Sequence, residues 1–311
     1  MTRSEFLFRC VDVLCDPLQN YKKYKGVVQE KENVVYDETY PKDCVGEIYY
    51  KSDLIGEGKP KIPVVVNVHG GGFVKGDMHF RRSVSRRFAD QGYFVFNINY
   101  RLAPKYPFPA SMIDCANALN YLSVLAEKYN INLNKVCVTG DSAGAHFAAQ
   151  MVCMATNPSL TEKIGAPAVT VKPALLVAFC GPYDLARTIQ FVKLPGHMLW
   201  DIGRCYFDTE NFHLKKDYSN MSDAPGLDDT NVLNWVNADW CPSFLISSDK
   251  DIICKGHAAI LKEKLDEAGV ENRTFSSHKF MDNHCFHLNF FTKASKQCFD
   301  EVFPFMAEKL K

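Results

Sequence analysis

The sequence lacks a net charge of either sign. Its 36 lysines and arginines stand against 36 aspartates and glutamates, so no strong field draws the chain to nucleic acid or to an anionic membrane. It lacks any apolar run approaching the ~18 residues that a membrane-crossing helix needs. It lacks a Cys-x-x-Cys pair or a Cys/His ligand grouping among its 12 cysteines, many of which, such as Cys137 and Cys180, sit inside apolar runs and read as free buried thiols. The opening residues Met1–Cys10 mix charge with apolar side chains and carry no signal-peptide core. Together these absences imply a reducing, cytoplasmic setting and a small, mostly uncharged partner. Internal repeats, low-complexity tracts and long charge blocks are missing as well.

What is present is alternation. Apolar, β-prone runs occur at Val64–Val68, Tyr93–Asn99, Lys135–Thr139, Ala174–Cys180 and Pro242–Ser247, and helical periodicity fills several of the gaps. Met112, Ile113, Ala116, Leu119 and Leu122 form one such face; Ile260, Leu261 and Leu265 form another, with Gly269 as its stop. This rhythm predicts an α/β fold with a mostly parallel central sheet flanked by helices, and an active site at the carboxyl ends of the strands. Residues 46–311 are expected to form the catalytic domain. Residues 1–45 and an insertion at about 185–230 fall outside the rhythm and read as a small lid, with Leu194–Trp200 as its apolar part and Asp217–Asp229 as a polar loop.

Ser142 is bracketed by two glycines in Gly140-Asp141-Ser142-Ala143-Gly144. A Gly-x-Ser-x-Gly string alone arises by chance in roughly one chain in ten of this size, at ~7% usage of each residue. Here it follows an expected strand and precedes the helical stretch Ala145–Met154, the setting of a nucleophile elbow. The glycines suit a turn so sharp that side chains beside the serine would collide with neighbouring strand and helix. The helix start behind the serine also aims backbone N–H groups at a developing negative charge.

A second constellation, His69-Gly70-Gly71-Gly72-Phe73, follows the strand Val64–Val68. Its glycines Gly70, Gly71 and Gly72, with Ala143, are the candidate oxyanion hole. Phosphate binding fits poorly, because the Walker lysine spacing is missing and Lys75 stands in the wrong place. His69 is expected to orient the loop through hydrogen bonds. A third stretch, Tyr100–Ala110, contains three prolines and reads as a stiff connector, with Asp114 beyond it anchoring a turn or capping a helix.

In order and spacing, His69–Phe73, Tyr100–Ala110 and Gly140–Gly144 resemble the hormone-sensitive-lipase-like carboxylesterase branch of the α/β-hydrolase family. The resemblance runs from about residue 62 to the C-terminus and is strongest through residue 150. It implies ester hydrolysis by a serine nucleophile, with no metal or organic cofactor.

Such a nucleophile needs a histidine to accept its proton and a carboxylate to orient that histidine. His146 lies on the helix behind the elbow, its ring expected to extend away from the hydroxyl, and His278 is assigned to the last strand. In the resembled family the base is usually followed by glycine and phenylalanine. His284-Cys285-Phe286 fits that frame with Cys in place of Gly, so His284 is the chosen base and His287 the reserve. The acid follows a late strand in the fold's chain order, where Asp249 and Asp251 both qualify. Asp249 lies nearer the strand end, but Asp251 is preferred because it precedes an apolar pair and a polar turn, as the acid of the resembled family commonly does.

The leading reading is a serine carboxylester hydrolase for short acyl esters, acetyl included, with Phe73, Trp200, Tyr206 and Phe207 as pocket walls. The same catalytic groups serve an arylformamide or other amide hydrolase. A noncatalytic ligand-binding homologue of the fold is the third reading; such proteins typically lose a triad member. Phe299, Val302, Phe303 and Met306 offer an apolar segment for a homodimer.

Overall fold

The computed structural model describes residues 1–20, 23–30, 32–191, 197–279 and 281–311. Nine strands among the described residues form one sheet in the order β1-β3-β5-β4-β6-β7-β8-β9, with β2 paired to β3. From β5 (Phe94–Ile98) through β4 (Ile62–Val68), β6 (Ile131–Asp141), β7 (Leu175–Phe179) and β8 (Ser243–Ser248) to β9 (Asn272–Ser277), every pairing is parallel. The antiparallel part is the edge made by β1 (Val27–Gln29), β2 (Val34–Val35) and β3 (Val45–Lys51). β1 and β2 lie inside residues 1–45, the segment assigned to a lid, and β3 begins at its last residue; α1 (Arg3–Asn20) is the helical part of that segment. A run of two or three half-buried residues carries too little period-2 signal to be read as a strand.

Strands β4, β5 and β7 are buried along their whole length, as a parallel sheet covered on both faces requires. Alternate residues serve two cores. Val64, Val66 and Val68 pack with α3 (Ala110–Lys128), α4 (Ala143–Thr156) and α9 (His257–Glu267). Val65, Val95 and Val177 pack with α2 (Arg82–Asp90) and α10 (Lys293–Leu310). Phe299, Val302 and Met306 of α10 are fully buried in that second core, which removes them as a dimer face.

Of the expected helical faces, Met112, Ala116, Leu119, Leu122, Leu261 and Leu265 are inaccessible and Ile113 and Ile260 half-buried, and Gly269 follows α9 at φ +70°. β9 ends at Ser277; His278 is one residue beyond the strand to which the sequence reading assigned it. The Tyr100–Ala110 connector is held by Asp114, whose buried carboxylate accepts from the Arg101 backbone N–H at 2.8 Å and from its guanidinium at 2.6 Å. No described helix is long and apolar enough to cross a membrane.

After α5 (Pro158–Ile164) and β7, the chain leaves the sheet to form α6 (Leu185–Phe191), α7 (Met198–Phe207) and α8 (Leu227–Thr230) over its carboxyl end. Leu194, Pro195 and Gly196 of the expected lid lie outside the described residues. α1 docks on α7 through Ser4, whose N–H and hydroxyl both reach Asp201 Oδ2, at 2.9 and 2.6 Å.

Candidate active site

Ser142 stands between the last residue of β6 and the first of α4, at φ 53° and ψ −121°. That left-handed conformation is costly for a residue with a Cβ. The surroundings enforce it. A Cβ on Gly144 would lie 2.1 Å from the Val68 carbonyl oxygen, and one on Gly140 would lie 2.5 Å from both Val68 O and Gly144 C. Strand β4 and the helix start therefore approach each other too closely for any other residue. The Ser142 N–H is tied to Phe179 O at 2.9 Å, which leaves the hydroxyl to project.

His284 Nε2 lies 2.8 Å from Ser142 Oγ, and its Nδ1 lies 2.9 Å from Asp251 Oδ2. Asp251 is buried and also accepts from the N–H groups of Ile253 and Cys254, both at 2.8 Å. Burial pushes its carboxyl up, but the His284 bond and those two N–H groups outweigh burial and hold it below the ordinary carboxylate range. The rivals are engaged elsewhere. Asp249 is exposed and bonds His278 and Ser276. His287 is buried and stacked on Phe179 at 4.1 Å, and burial lowers its pKa to about 3. His146 points Nδ1 at Pro182 O, 2.8 Å away.

The glycine loop supplies fewer donors than its sequence suggests. The Gly70 N–H points at Asp141 Oδ1, 3.3 Å away, so Gly70 leaves the candidate oxyanion hole. Among the described residues, the N–H groups of Gly71, Gly72 and Ala143 have no intramolecular acceptor. Burial lowers the His69 pKa to about 4. Its Nδ1 lies 2.9 Å from Gly70 O and its ring stacks on Tyr100. His69 thus faces the loop backbone, not the Ser142 hydroxyl.

Gly71 has φ +137°, and a Cβ there would sit 1.9 Å from Lys75 O. Backbone cannot yield as a side-chain tip can. Gly71→Ala should therefore displace the loop and lower kcat by roughly 100-fold or more, the cost of losing an oxyanion donor. Gly58→Ala, in open space at φ +73°, should cost some stability and leave kcat unchanged. Steady-state rates with thermal melts on both variants check this.

Behind the loop lies a buried ion pair that was not anticipated. Arg81 Nη2 donates to Asp141 Oδ2 at 2.7 Å. Burial works to raise the Asp141 carboxyl, yet Arg81 brings it down to about 2. A basic pair, Arg81-Arg82, and an acid next to the elbow serine were the only signals available.

A narrow cavity of about 30 Å³ opens beside Ser142, lined by Phe8, Gly72, Phe73, Ala143, Pro182, Leu185, Thr188, Ile189, Met198, Leu199, Ile202 and Ile253. Of the expected walls only Phe73 is there. Helix α7 turns Met198, Leu199 and Ile202 toward Ser142, so its period sends the other aromatics elsewhere. Trp200 donates to Leu214 O at 3.0 Å, Tyr206 packs behind Phe73 at 4.7 Å, and Phe207 is core. Phe8, from α1, was not anticipated.

Two groups of three possible metal ligands occur among the described residues, Cys180/Asp251/His284 and Asp37/Cys44/Asp114. Their carboxylates are already engaged, Asp251 by His284 and two N–H groups and Asp114 by Arg101.

A nucleophile elbow at the end of a central parallel strand, with its acid and base on later loops, defines the α/β-hydrolase fold. Esterase B of Lactobacillus rhamnosis shares it across 100% of both chains at 21% identity and a TM-score of 0.77. The family profile described as BD-FAE matches residues 48–265, and the chain belongs to that family. Among curated relatives, the AB hydrolase superfamily protein C1039.03 of Schizosaccharomyces pombe is 31% identical over 223 residues, 68% of this chain and 60% of that one. Esterase LipI of Mycobacterium tuberculosis is 32% identical over 148 residues, 40% of this chain and 46% of its own. The chain thus spans roughly half the length of these relatives.

Proposed function

We propose that the protein is a serine carboxylester hydrolase for short, apolar acyl groups such as acetyl. The observation that carries the reading is the continuous hydrogen-bonded path from Ser142 Oγ through His284 to Asp251. Ser142 attacks the ester carbonyl while His284 Nε2 takes its proton, and Asp251 holds the Nδ1–H and stabilises the imidazolium. The tetrahedral oxyanion faces the free N–H groups of Gly71, Gly72 and Ala143, each contributing roughly 3 kcal/mol to the transition state. His284 then protonates the leaving alcohol and activates the water that cleaves the acyl-enzyme. The names of LipI and esterase B are in keeping with this chemistry.

The cavity supports the short acyl group. Its volume is only about 30 Å³ and its walls are almost wholly apolar, which favours a small acyl group over a long chain. Helices α1, α6 and α7 act as the cap that closes it. A reducing, cytoplasmic location belongs to the same reading, supported by eleven unpaired thiols among the described residues.

Hydrolysis of p-nitrophenyl esters from acetyl to dodecanoyl by the purified protein tests the proposal. The expected kcat/KM is highest for acetyl or propanoyl and falls at least tenfold by octanoyl, since each added methylene finds no matching space. A folded protein that cleaves none of the series would overturn the reading, and a preference for octanoyl or longer would overturn the acyl assignment.

A further inference from the structure

Helix α1 is pinned to α7 at one buried point. Ser4 is inaccessible, and its backbone N–H and hydroxyl both donate to Asp201 Oδ2, at 2.9 and 2.6 Å. Arg204 Nη2 takes the other oxygen of Asp201 at 2.9 Å, which leaves Oδ2 to α1. A carboxylate facing the first turn of a helix receives an N–H that has no partner within the helix and meets the positive end of its dipole. Phe8 lies four residues after Ser4, on the same helical face, so the anchor delivers its ring to the cavity beside Ser142. Phe6, Val13 and Leu14, on the outer side of α1, stay exposed.

The ring stops against the glycine loop. A Cβ on Gly72 would lie 2.6 Å from Phe8 Cε2, 2.8 Å from Phe8 Cζ and 3.2 Å from Ile202 Cδ1. The tip of the ring therefore covers the α-carbon of a residue whose N–H is a candidate oxyanion donor, beside the place that a bound ester carbonyl takes. Among the described cap residues that line the cavity, Phe8 alone carries a ring. A ring is rigid where a side chain such as Met198 can fold back, so it makes the firmer wall.

We propose that Phe8 is a specificity-determining residue: its ring closes the cavity beside Ser142 and sets the length of acyl chain that the site accepts. The inference deepens the ester hydrolase reading and rests on it for turnover; the limit that the ring sets on occupancy of the cavity does not. Cutting the side chain to Leu and then to Ala opens space next to the serine in two steps, and each methylene that gains a matching space improves kcat/KM. The ratio between two chain lengths carries the signal. Loss of folded protein lowers both rates alike and leaves their ratio unmoved.

The test compares wild type, Phe8→Leu, Phe8→Ala and Leu14→Ala on p-nitrophenyl acetate and p-nitrophenyl octanoate. The octanoate-to-acetate ratio of kcat/KM should rise at least tenfold in Phe8→Ala and by an intermediate factor in Phe8→Leu. Leu14→Ala, at an exposed position of the same helix, should move it by less than about twofold. A second arm needs no turnover. Methyl hexanoate should raise the melting temperature of the Ser142→Ala/Phe8→Ala pair and leave that of Ser142→Ala alone unchanged. The proposal is overturned by a wild-type ratio in both Phe8 variants, by a rise in Leu14→Ala as large as that in Phe8→Ala, or by equal stabilisation with and without the ring. Phe8→Leu decides the matter in both arms if Phe8→Ala fails to fold. If no ester is cleaved, the hydrolase reading falls and the melts still decide the role of the ring.

Discussion

Ser142→Ala and His284→Ala should each lower kcat for p-nitrophenyl acetate by about 10⁶-fold, the size such removals reach in other serine hydrolases. The double variant should be no worse than either single one. The serine hydroxyl and the imidazole act as one unit across their 2.8 Å bond, so losing one makes the other useless. The acid separates the two aspartates. Asp251→Asn replaces a group that receives the His284 Nδ1–H at 2.9 Å with one that favours the wrong tautomer, and should cost roughly 10⁴-fold in kcat. Asp249→Asn changes an exposed side chain bonded to His278 and Ser276, and should stay within about threefold of wild type, as surface substitutions do. Circular dichroism confirms that each variant is folded. Equal, small effects at both aspartates would remove the assigned acid, and a wild-type rate in Ser142→Ala would remove the mechanism.

Acidification from pH 7 to 4.5 should destabilise the fold severely. Burial lowers the pKa of His69, His146 and His257 to about 4 and that of His287 to about 3. Each is below the ~6.5 of an unfolded histidine, so between the two values the unfolded chain binds more protons than the native one. Stability therefore rises with pH through this window. The contribution is complete above about pH 6.5 and is lost as pH falls toward 4. At ~1.4 kcal/mol per pKa unit, four such groups rival the 5–15 kcal/mol by which domains are ordinarily stable. The depressed carboxyls of Asp251 and Asp141 have the same sign, but their loss falls below about pH 4. Thermal melts at half-unit steps should show a midpoint falling by more than 10 °C between pH 6.5 and 4.5. A flat profile there would mean that these imidazoles are hydrated or paired in solution.

Strands β4 to β8 were legible because their buried parts are written as apolar runs, and each lies within four residues of its expected ends; β9, polar and half-exposed, was given no bounds. The antiparallel edge was not legible: β1 and β2 are too short to carry a pattern, and β3, though seven residues long, went unread. Near the reacting groups the legible parts are those that demand an unusual backbone. Glycine around Ser142 and at Gly71 announces a conformation that other residues resist. Pocket walls announce nothing, because an apolar side chain facing substrate and one facing core are the same letter. Hence Trp200, Tyr206 and Phe207 were chosen for size, while Phe8, Thr188 and Ile202 passed unmarked. Gly70 was misassigned for a related reason: three successive glycines do not say where each N–H points, and Asp141 takes the first.

Asp141 reaches further than its ion pair. It directly precedes Ser142, accepts the Gly70 N–H, bonds Arg81 and receives the Cys285 thiol, and so joins segments more than two hundred residues apart in the chain. A site closed by such a knot cannot exist in a partly assembled molecule. During refolding, turnover of an ester should lag behind the recovery of helix and sheet signals and appear only with the last docking event. Catalysis then serves as a clock for the arrival of the C-terminal loop, and slow variants of that loop would be seen as late activity before they are seen as low stability.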